Sequence, residues 1–285
     1  MNLHHGIRAW LSRHHRRSSV AGGDPGWIHV GAIETAGRTD RGRVRRRNED
    51  SFTIARMTRP ARGTTPGAPA LLLAIADGMG GLAGGDEASA GALRAFVGHL
   101  RRHAPAARPD SLDVVDLDRV LLDGFQVAHE TVQAMAAARH ADMGTTLSAA
   151  YITRTQTYVC HVGDSRCYWV HDGVARRLTH DHTLAQQLAA RDPAHAPLAG
   201  SPWSHVLTNA VGTRAGPPTV EQHVVKAHPG DLLLLCSDGV TRYLSDRQIA
   251  AIAGLRGAGE ICDVLIDTAN AGGGADNLTV VVARF

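Results

Sequence analysis

The chain has 285 residues, 44% of them hydrophobic, and a formal net charge of +3. That length allows one large core or two small domains, and the composition is that of a soluble globular protein. No apolar run approaches a membrane span, and so small a charge gives no reason to expect nucleic acid as a partner.

Residues 1–26 form a basic tail with Arg8, Arg13, Arg16, Arg17 and two His-His pairs. It lacks the apolar centre of a secretory signal, so a solvated, flexible tail is expected, with contact to a partner or an anionic surface as the alternative. The folded domain is expected over 27–285. A first strand is read at 28–35, an Arg-rich turn at 38–47, a second strand at 51–56 and a Pro/Gly/Thr loop at 57–69. An unbroken apolar run then leads from Leu71 to Asp77-Gly78, the signature of a buried strand with an acid at its exit. Leu93, Phe96, Val97 and Leu100 repeat at helical spacing, as do Leu121, Phe125, Ala128, Val132 and Met135. Strands at 145–153 and 156–162 make one hairpin. Strands at 167–171 and 174–178 make another, turning at Asp172-Gly173.

A short helix is expected at 184–191. The segment 192–204 carries three prolines and reads as a flap. Strands follow at 221–226 and 231–237, the second ending in Ser237-Asp238-Gly239. Ser245 caps a helix, Ile261, Val264, Leu265 and Thr268 stripe another, and a strand over 278–284 closes the chain. This order lacks strict β/α alternation, which points to an α+β fold with antiparallel sheets and helices outside. Cys160, Cys167, Cys236 and Cys262 sit in or beside apolar segments, as expected for core packing in a reducing compartment.

Four acids share one context. Asp50 begins a strand after Asn48-Glu49, Asp77 and Asp238 end strands and precede glycine, and Asp276 stands just before the last strand. Carboxylates that converge without partners raise one another's pKa. A divalent cation resolves the conflict, and hard oxygen ligands favour Mg(II) or Mn(II).

With these motifs in view, the sequence resembles the bacterial metal-dependent (type 2C) Ser/Thr protein phosphatases. The resemblance runs from Ile33 to Phe285. It rests on Val44-Arg45-x-x-Asn48-Glu49-Asp50, Asp77-Gly78-Met79-Gly80-Gly81, Met143-Gly144-Thr145-Thr146, Val162-Gly163-Asp164-Ser165-Arg166, Ser237-Asp238-Gly239 and Asp276-Asn277. The resemblance implies a four-layer αββα sandwich with a binuclear Mn(II)/Mg(II) centre at one end. Asp77 would bridge the ions. Asp50, the Gly78 carbonyl and Glu49 (through water) would serve one side, Asp238 and Asp276 the other. Arg45 would contact the phosphate, and Asp142 is the candidate acid for a third ion. Asp164 and Asn277 read mainly as structural.

The implied reaction is hydrolysis of phosphoserine and phosphothreonine on proteins by a hydroxide shared between two ions about 3.5–4 Å apart. Met79 stands where animal relatives commonly carry histidine, so no proton comes from that position. A cytoplasmic monomer opposing a Ser/Thr kinase is the expected setting. Two rivals remain at this point. One is a non-catalytic phosphoprotein-binding module of the same fold. The other is a dinucleotide-binding oxidoreductase, suggested by Gly78-x-Gly80-x-x-Ala83.

Overall fold

A computed structural model of the chain describes residues 30–57, 69–79, 84–104, 114–193, 201–255 and 257–285. The tail at 1–26, nearly all of the 57–69 loop and residues 194–200 of the expected flap lie outside these. The strands are β1 (Glu34–Asp40), β2 (Asp50–Met57), β3 (Ala70–Met79), β4 (Gly144–Thr145), β5 (Leu147–Ile152), β6 (Thr157–Val162), β7 (Arg166–His171), β8 (Val174–Arg177), β9 (Glu221–Val225), β10 (Leu232–Cys236) and β11 (Leu278–Arg284). The helices are α1 (Gly85–His103), α2 (Val114–Arg139), α3 (Leu184–Arg191), α4 (Asp238–Thr241), α5 (Asp246–Ala253) and α6 (Ala258–Ala271).

The strands form two sheets, ordered β1-β11-β10-β7-β8 and β2-β3-β5-β6-β9, with β4 on β3. The named strand pairs are antiparallel. β3 therefore has antiparallel neighbours on both sides and cannot be the first strand of a dinucleotide-binding βαβ unit, which overturns the oxidoreductase reading.

Alternation explains why β3, β10 and β11 read as continuous apolar runs. Successive side chains of a strand point to opposite faces. In β3, Leu72, Ala74 and Ala76 pack under α1 and α2, with Phe96, Leu121 and Phe125. Leu71, Leu73 and Ile75 point the other way, into the layer between the sheets. In β10, Leu233 and Leu235 enter that same layer, while Leu232, Leu234 and Cys236 pack under α5 and α6. Both faces of each strand are covered, so polar residues have no place along them. The result is the expected four-layer αββα sandwich.

Some expectations shift. The first strand lies at Glu34–Asp40, not 28–35, and occupies part of the expected Arg-rich turn. Its sequence has no apolar run. It is a strand because seven residues pair with β11, from Glu34 opposite Arg284 to Asp40 opposite Leu278. The expected strand at 145–153 is split at Thr146, whose amide donates to the Asp77 carbonyl at 2.9 Å. Helix α4 follows Ser237 directly, an element not expected from the sequence. The Asp172-Gly173 hairpin is as read: both residues have positive φ, 48° and 76°, as a type I′ turn requires. All four cysteines are buried and free. No described helix is long and apolar enough to cross a membrane.

The layer between the sheets should carry much of the stability. Leu235→Ala, at a fully buried position, is expected to cost about 2–5 kcal/mol in urea unfolding. Val224→Ala, on the exposed side of β9 and 51% exposed, should change stability by about 0.5 kcal/mol or less.

Candidate metal centre

The acids meet at one end of the sandwich. Asp50 opens β2 directly opposite Asp77 near the end of β3. Asp238 starts α4 at the exit of β10, and Asp276 precedes β11. A pocket of about 390 Å³ is lined by Glu49, Asp77, Gly78, Asp164, Asp238 and Asp276, among others, with Arg45, His205 and Arg242 also contributing. Asp50 lies behind it, buried.

Hydrogen bonds fix the carboxylates from several sides. Ser237 Oγ donates to Asp50 Oδ2 at 2.8 Å and accepts from the Thr279 amide at 2.9 Å. The Asp77 amide donates to Thr146 Oγ1 at 2.9 Å, and Thr145 Oγ1 donates to the Asp77 carbonyl. Thr146 Oγ1 also shares a hydrogen bond with Ser165 Oγ. Asn277 Oδ1 accepts from the Glu49 amide at 2.8 Å, while its Nδ2 donates to the carbonyls of Arg41 and Arg47. Asn277 is thus a structural tie, as read from sequence, and the Gly-Thr-Thr and Gly-Asp-Ser motifs converge on the backbone of Asp77.

The two Asp-Gly glycines answer to close packing. A Cβ on Gly78 would lie 2.0 Å from the Gly85 carbonyl oxygen, and one on Gly239 would lie 2.0 Å from that of Asn277. Any side chain at either position would push an acid-bearing segment away from its neighbour.

The electrostatics are those of crowded, dry carboxylates. Burial first, then the charges of Asp238 and Asp276, push Asp50 up to about 7. Burial, then Asp50 and Asp238, hold Asp77 well above the ordinary range. Asp164 is raised by burial and then by Asp238. Glu49 is raised by burial. Among the described residues lining the pocket, the guanidinium groups of Arg45 and Arg242 oppose this charge. Arg45 Nη2 donates to Asp276 Oδ2 at 2.8 Å, and Arg242 Nη1 lies 3.9 Å from the same oxygen.

Asp50 Oδ1 is buried without a hydrogen-bond partner, a costly state for a carboxylate oxygen. The lining is rich in oxygen donors, which suits hard divalent cations. Among the described residues, no three of these acids bring ligand atoms within 4.8 Å of one another. The partnerless Asp50 oxygen and the oxygen-rich lining fit divalent metal, and the acids would draw together around it.

The structure thus brings together Arg45, Glu49, Asp50, Asp77, Gly78, Asp238 and Asp276. It leaves Asp142 apart, 91% exposed beside Arg214 Nη2 at 3.2 Å. Sequence reasoning missed Asp164, His205 and Arg242 as pocket residues. Arg242 stands one helical turn after Asp238, a spacing that could have flagged it. His205 gave no signal. One further pattern is excluded: Cys160 and Arg166 stand at Cys-x5-Arg spacing, yet burial pushes the Cys160 thiol up to about 12. Arg166 is taken by Asp181 through two hydrogen bonds, of 2.9 and 2.7 Å. A reactive cysteine needs the opposite environment.

A paired antiparallel sandwich with an acid pocket at one end, fit for divalent metal, defines a class of metal-dependent hydrolase. Residues 48–269 match the family model described as Protein phosphatase 2C, and the chain belongs to that family. It is a phosphoprotein phosphatase, a hydrolase of phosphoric monoesters. It is 33% identical over 251 residues to the serine/threonine phosphatase stp of Listeria monocytogenes, covering 87% of this chain and 94% of that one. It is 34% identical over 256 residues to the serine/threonine protein phosphatase PstP of Mycobacterium tuberculosis, covering 88% of this chain and 45% of that one. The S. agalactiae serine/threonine phosphatase structure aligns with a TM-score of 0.75 at 28% identity, over 88% of this chain and 99% of the other. The PstP catalytic domain in complex with two manganese ions aligns with a TM-score of 0.67 at 32% identity, over 88% and 97%.

The raised carboxyls carry a pH consequence. An acid whose pKa is raised by folding binds its proton more tightly in the folded chain, so its contribution to stability falls as pH climbs from its unfolded to its folded pKa. For Asp50 that window runs from 3.8 to about 7. Mn(II) relieves the same repulsion in competition with protons. The gain in Tm on adding Mn(II) to metal-stripped protein should therefore grow from about pH 5 to about pH 7. Differential scanning fluorimetry with and without the ion measures it, and histidine contributions common to both states cancel. A gain that shrinks across this range would contradict the assignment.

Proposed function

We propose that the acid pocket is a two-ion centre hydrolysing phosphoserine and phosphothreonine on proteins. The observation that carries this is the convergence of Asp50, Asp77, Asp238 and Asp276 from separate strand ends, with one buried Asp50 oxygen lacking a partner. Asp77 would serve both ions. Asp50 and the Gly78 carbonyl, with Glu49 through water, would serve one side, and Asp238 with Asp276 the other. When bound, divalent metal would supply an activated water nucleophile and counter-charge for the phosphoryl oxygens.

The protein's own groups do the rest. Arg45 lines the mouth, half-exposed, with one nitrogen on Asp276. A guanidinium placed there can orient a phosphate monoester through paired donors. Arg242 adds a second positive charge within the pocket. Met79 cannot give a proton to the departing serine or threonine oxygen. His205 Nε2 lies 2.8 Å from Arg242 Nη2, which can only donate, so that nitrogen serves as an acceptor. Its Nδ1 lies 3.7 Å from Asp238 Oδ2, beyond hydrogen-bond reach, so His205 lines the pocket beside Asp238 without fixing it. The intact acid set favours an enzyme over a binding module. Phosphorylated proteins are then the substrates, and a Ser/Thr kinase in the cytoplasm is the natural counterpart to a monomeric phosphatase.

Phosphate release from a phosphothreonine peptide should stop with EDTA and return with Mn(II). Asp77→Ala and Asp238→Ala should each lower turnover by about 100-fold or more while folding is retained by circular dichroism. Wild-type rates in both variants would refute the reading. Deleting residues 1–23 should leave turnover of a small aryl phosphate unchanged, because the acids all lie beyond the tail.

A further inference from the structure

We propose that His171, His228 and Asp231 form a second metal site, for Zn(II) or an ion of like softness, at the end of the sandwich remote from the acid pocket. His171 ends β7, and Asp231 immediately precedes β10, whose opposite end delivers Asp238. The register pairs Val170 with Leu232 and Arg166 with Cys236. The two sites are thus separated by the length of β10, about 17 Å at ~3.3 Å per residue.

The ligand atoms already converge. His171 Nδ1 lies 2.6 Å from Asp231 Oδ1, and His228 Nδ1 lies 3.6 Å from Asp231 Oδ2. The three residues offer ligand atoms within 4.8 Å of one another. Zinc bonds of about 2.0–2.1 Å put tetrahedral ligands about 3.3 Å apart, so the His171–Asp231 separation must open by about 0.7 Å and the His228–Asp231 separation close by about 0.3 Å. Both movements are available, because the His171 and His228 side chains are 53% and 55% exposed. The same exposure gives the ion an entry path and leaves a fourth position to solvent.

The carboxylate is the fixed element. The Asp231 side chain is buried, and the His228 amide donates to its Oδ2 at 2.8 Å. Its backbone carbonyl accepts from the Phe285 amide at 3.0 Å. An outer carboxylate is also in place: the type I′ turn sets Asp172 Oδ2 3.5 Å from His171 Nε2. Metal-bound imidazoles characteristically direct their second N–H at such a group. Two nitrogens and one oxygen select a borderline ion, whereas the acid pocket selects a hard one. The two sites therefore discriminate between ions by donor type.

The other histidine cluster, His161, His182 and Glu221, does not meet this standard. His161 Nε2 faces the carbonyls of Gly163 and His180 at 2.9 and 3.1 Å and must carry its proton, while Nδ1 is engaged by Ser148 Oγ. His182 Nδ1 accepts from the Gly163 amide. Both Glu221 oxygens are engaged by His180. No imidazole lone pair is left for a shared ion, so that cluster is a hydrogen-bonded support. At His171, by contrast, an ion would replace one shared proton and pin the β7–β8 hairpin to the turn before β10.

The test uses the full chain saturated with Mn(II), then dialysed against micromolar Zn(II), with metal content read by plasma emission. Wild type should retain one more equivalent of zinc than His171→Ala/His228→Ala. Zinc should raise the Tm of the wild type and not of the double variant. The tail histidines are common to both and cancel. Mn(II)-dependent phosphatase activity should be equal in the two, which separates failure of this site from failure of the acid pocket. His228→Gln, which keeps a polar surface, should lose the same equivalent. Equal zinc content in wild type and variants would overturn the proposal and leave His171–Asp231 as an ion pair only.

Discussion

Crowding of like charge at the end of the sandwich governs the rest of this protein. Asp50, Asp77 and Asp164 are buried close enough to raise one another or to be raised by Asp238. Left to themselves such groups would separate or take up protons. They stay because neutral groups tie their segments from behind: Ser237 donates to the Asp50 carboxylate, Thr145 donates to the Asp77 carbonyl, Thr146 Oγ1 accepts from the Asp77 amide, and Asn277 Oδ1 accepts from the Glu49 amide. The strain sits in a pocket whose walls are stabilised elsewhere, by apolar layers on both sides of each sheet. A divalent cation would supply the counter-charge, since the Arg45 and Arg242 guanidinium groups reach only Asp276 among the acids.

The fold provides what this arrangement needs. Antiparallel strands bring β2 and β3 ends together from one sheet and β10 and β11 ends from the other. Glycines at Gly78 and Gly239 allow backbone segments to pack at distances that a side chain would forbid. Asp50 and Asp77 therefore ride on strands and Asp238 on the first residue of α4, while Asp164 and Asp276 sit in short turns beside strand ends, which is how a site keeps its geometry without substrate. The phosphatase family to which the chain belongs supplies the chemistry that such a pocket serves.

Much of this was legible in the residues. The apolar runs of β3 and β10 announced strands covered on both faces, and the acids at their exits announced a shared site. What escaped depended on tertiary context. β1 has no apolar signature and becomes a strand only through its pairing with β11. Asp164 occupies a Gly-Asp-Ser turn that reads as scaffold, and only the meeting of the two sheets puts it in the pocket. His205 comes from the short helical turn Pro202–His205, whose sequence gives no reason to face Asp238. Asp142 looked like a ligand by its place before Gly144-Thr145-Thr146, yet a neighbour in sequence need not be a neighbour in space, and its carboxyl lies in solvent beside Arg214.

The bond from Ser237 to Asp50 crosses from one sheet to the other at the very edge of their contact. Sliding one layer over its partner by even an ångström would break that link and change the gap between Asp238 and Asp77. The catalytic end thus behaves as a strain gauge for the sandwich. Mutations deep in the inter-sheet layer would register in ion affinity long before they registered as unfolding.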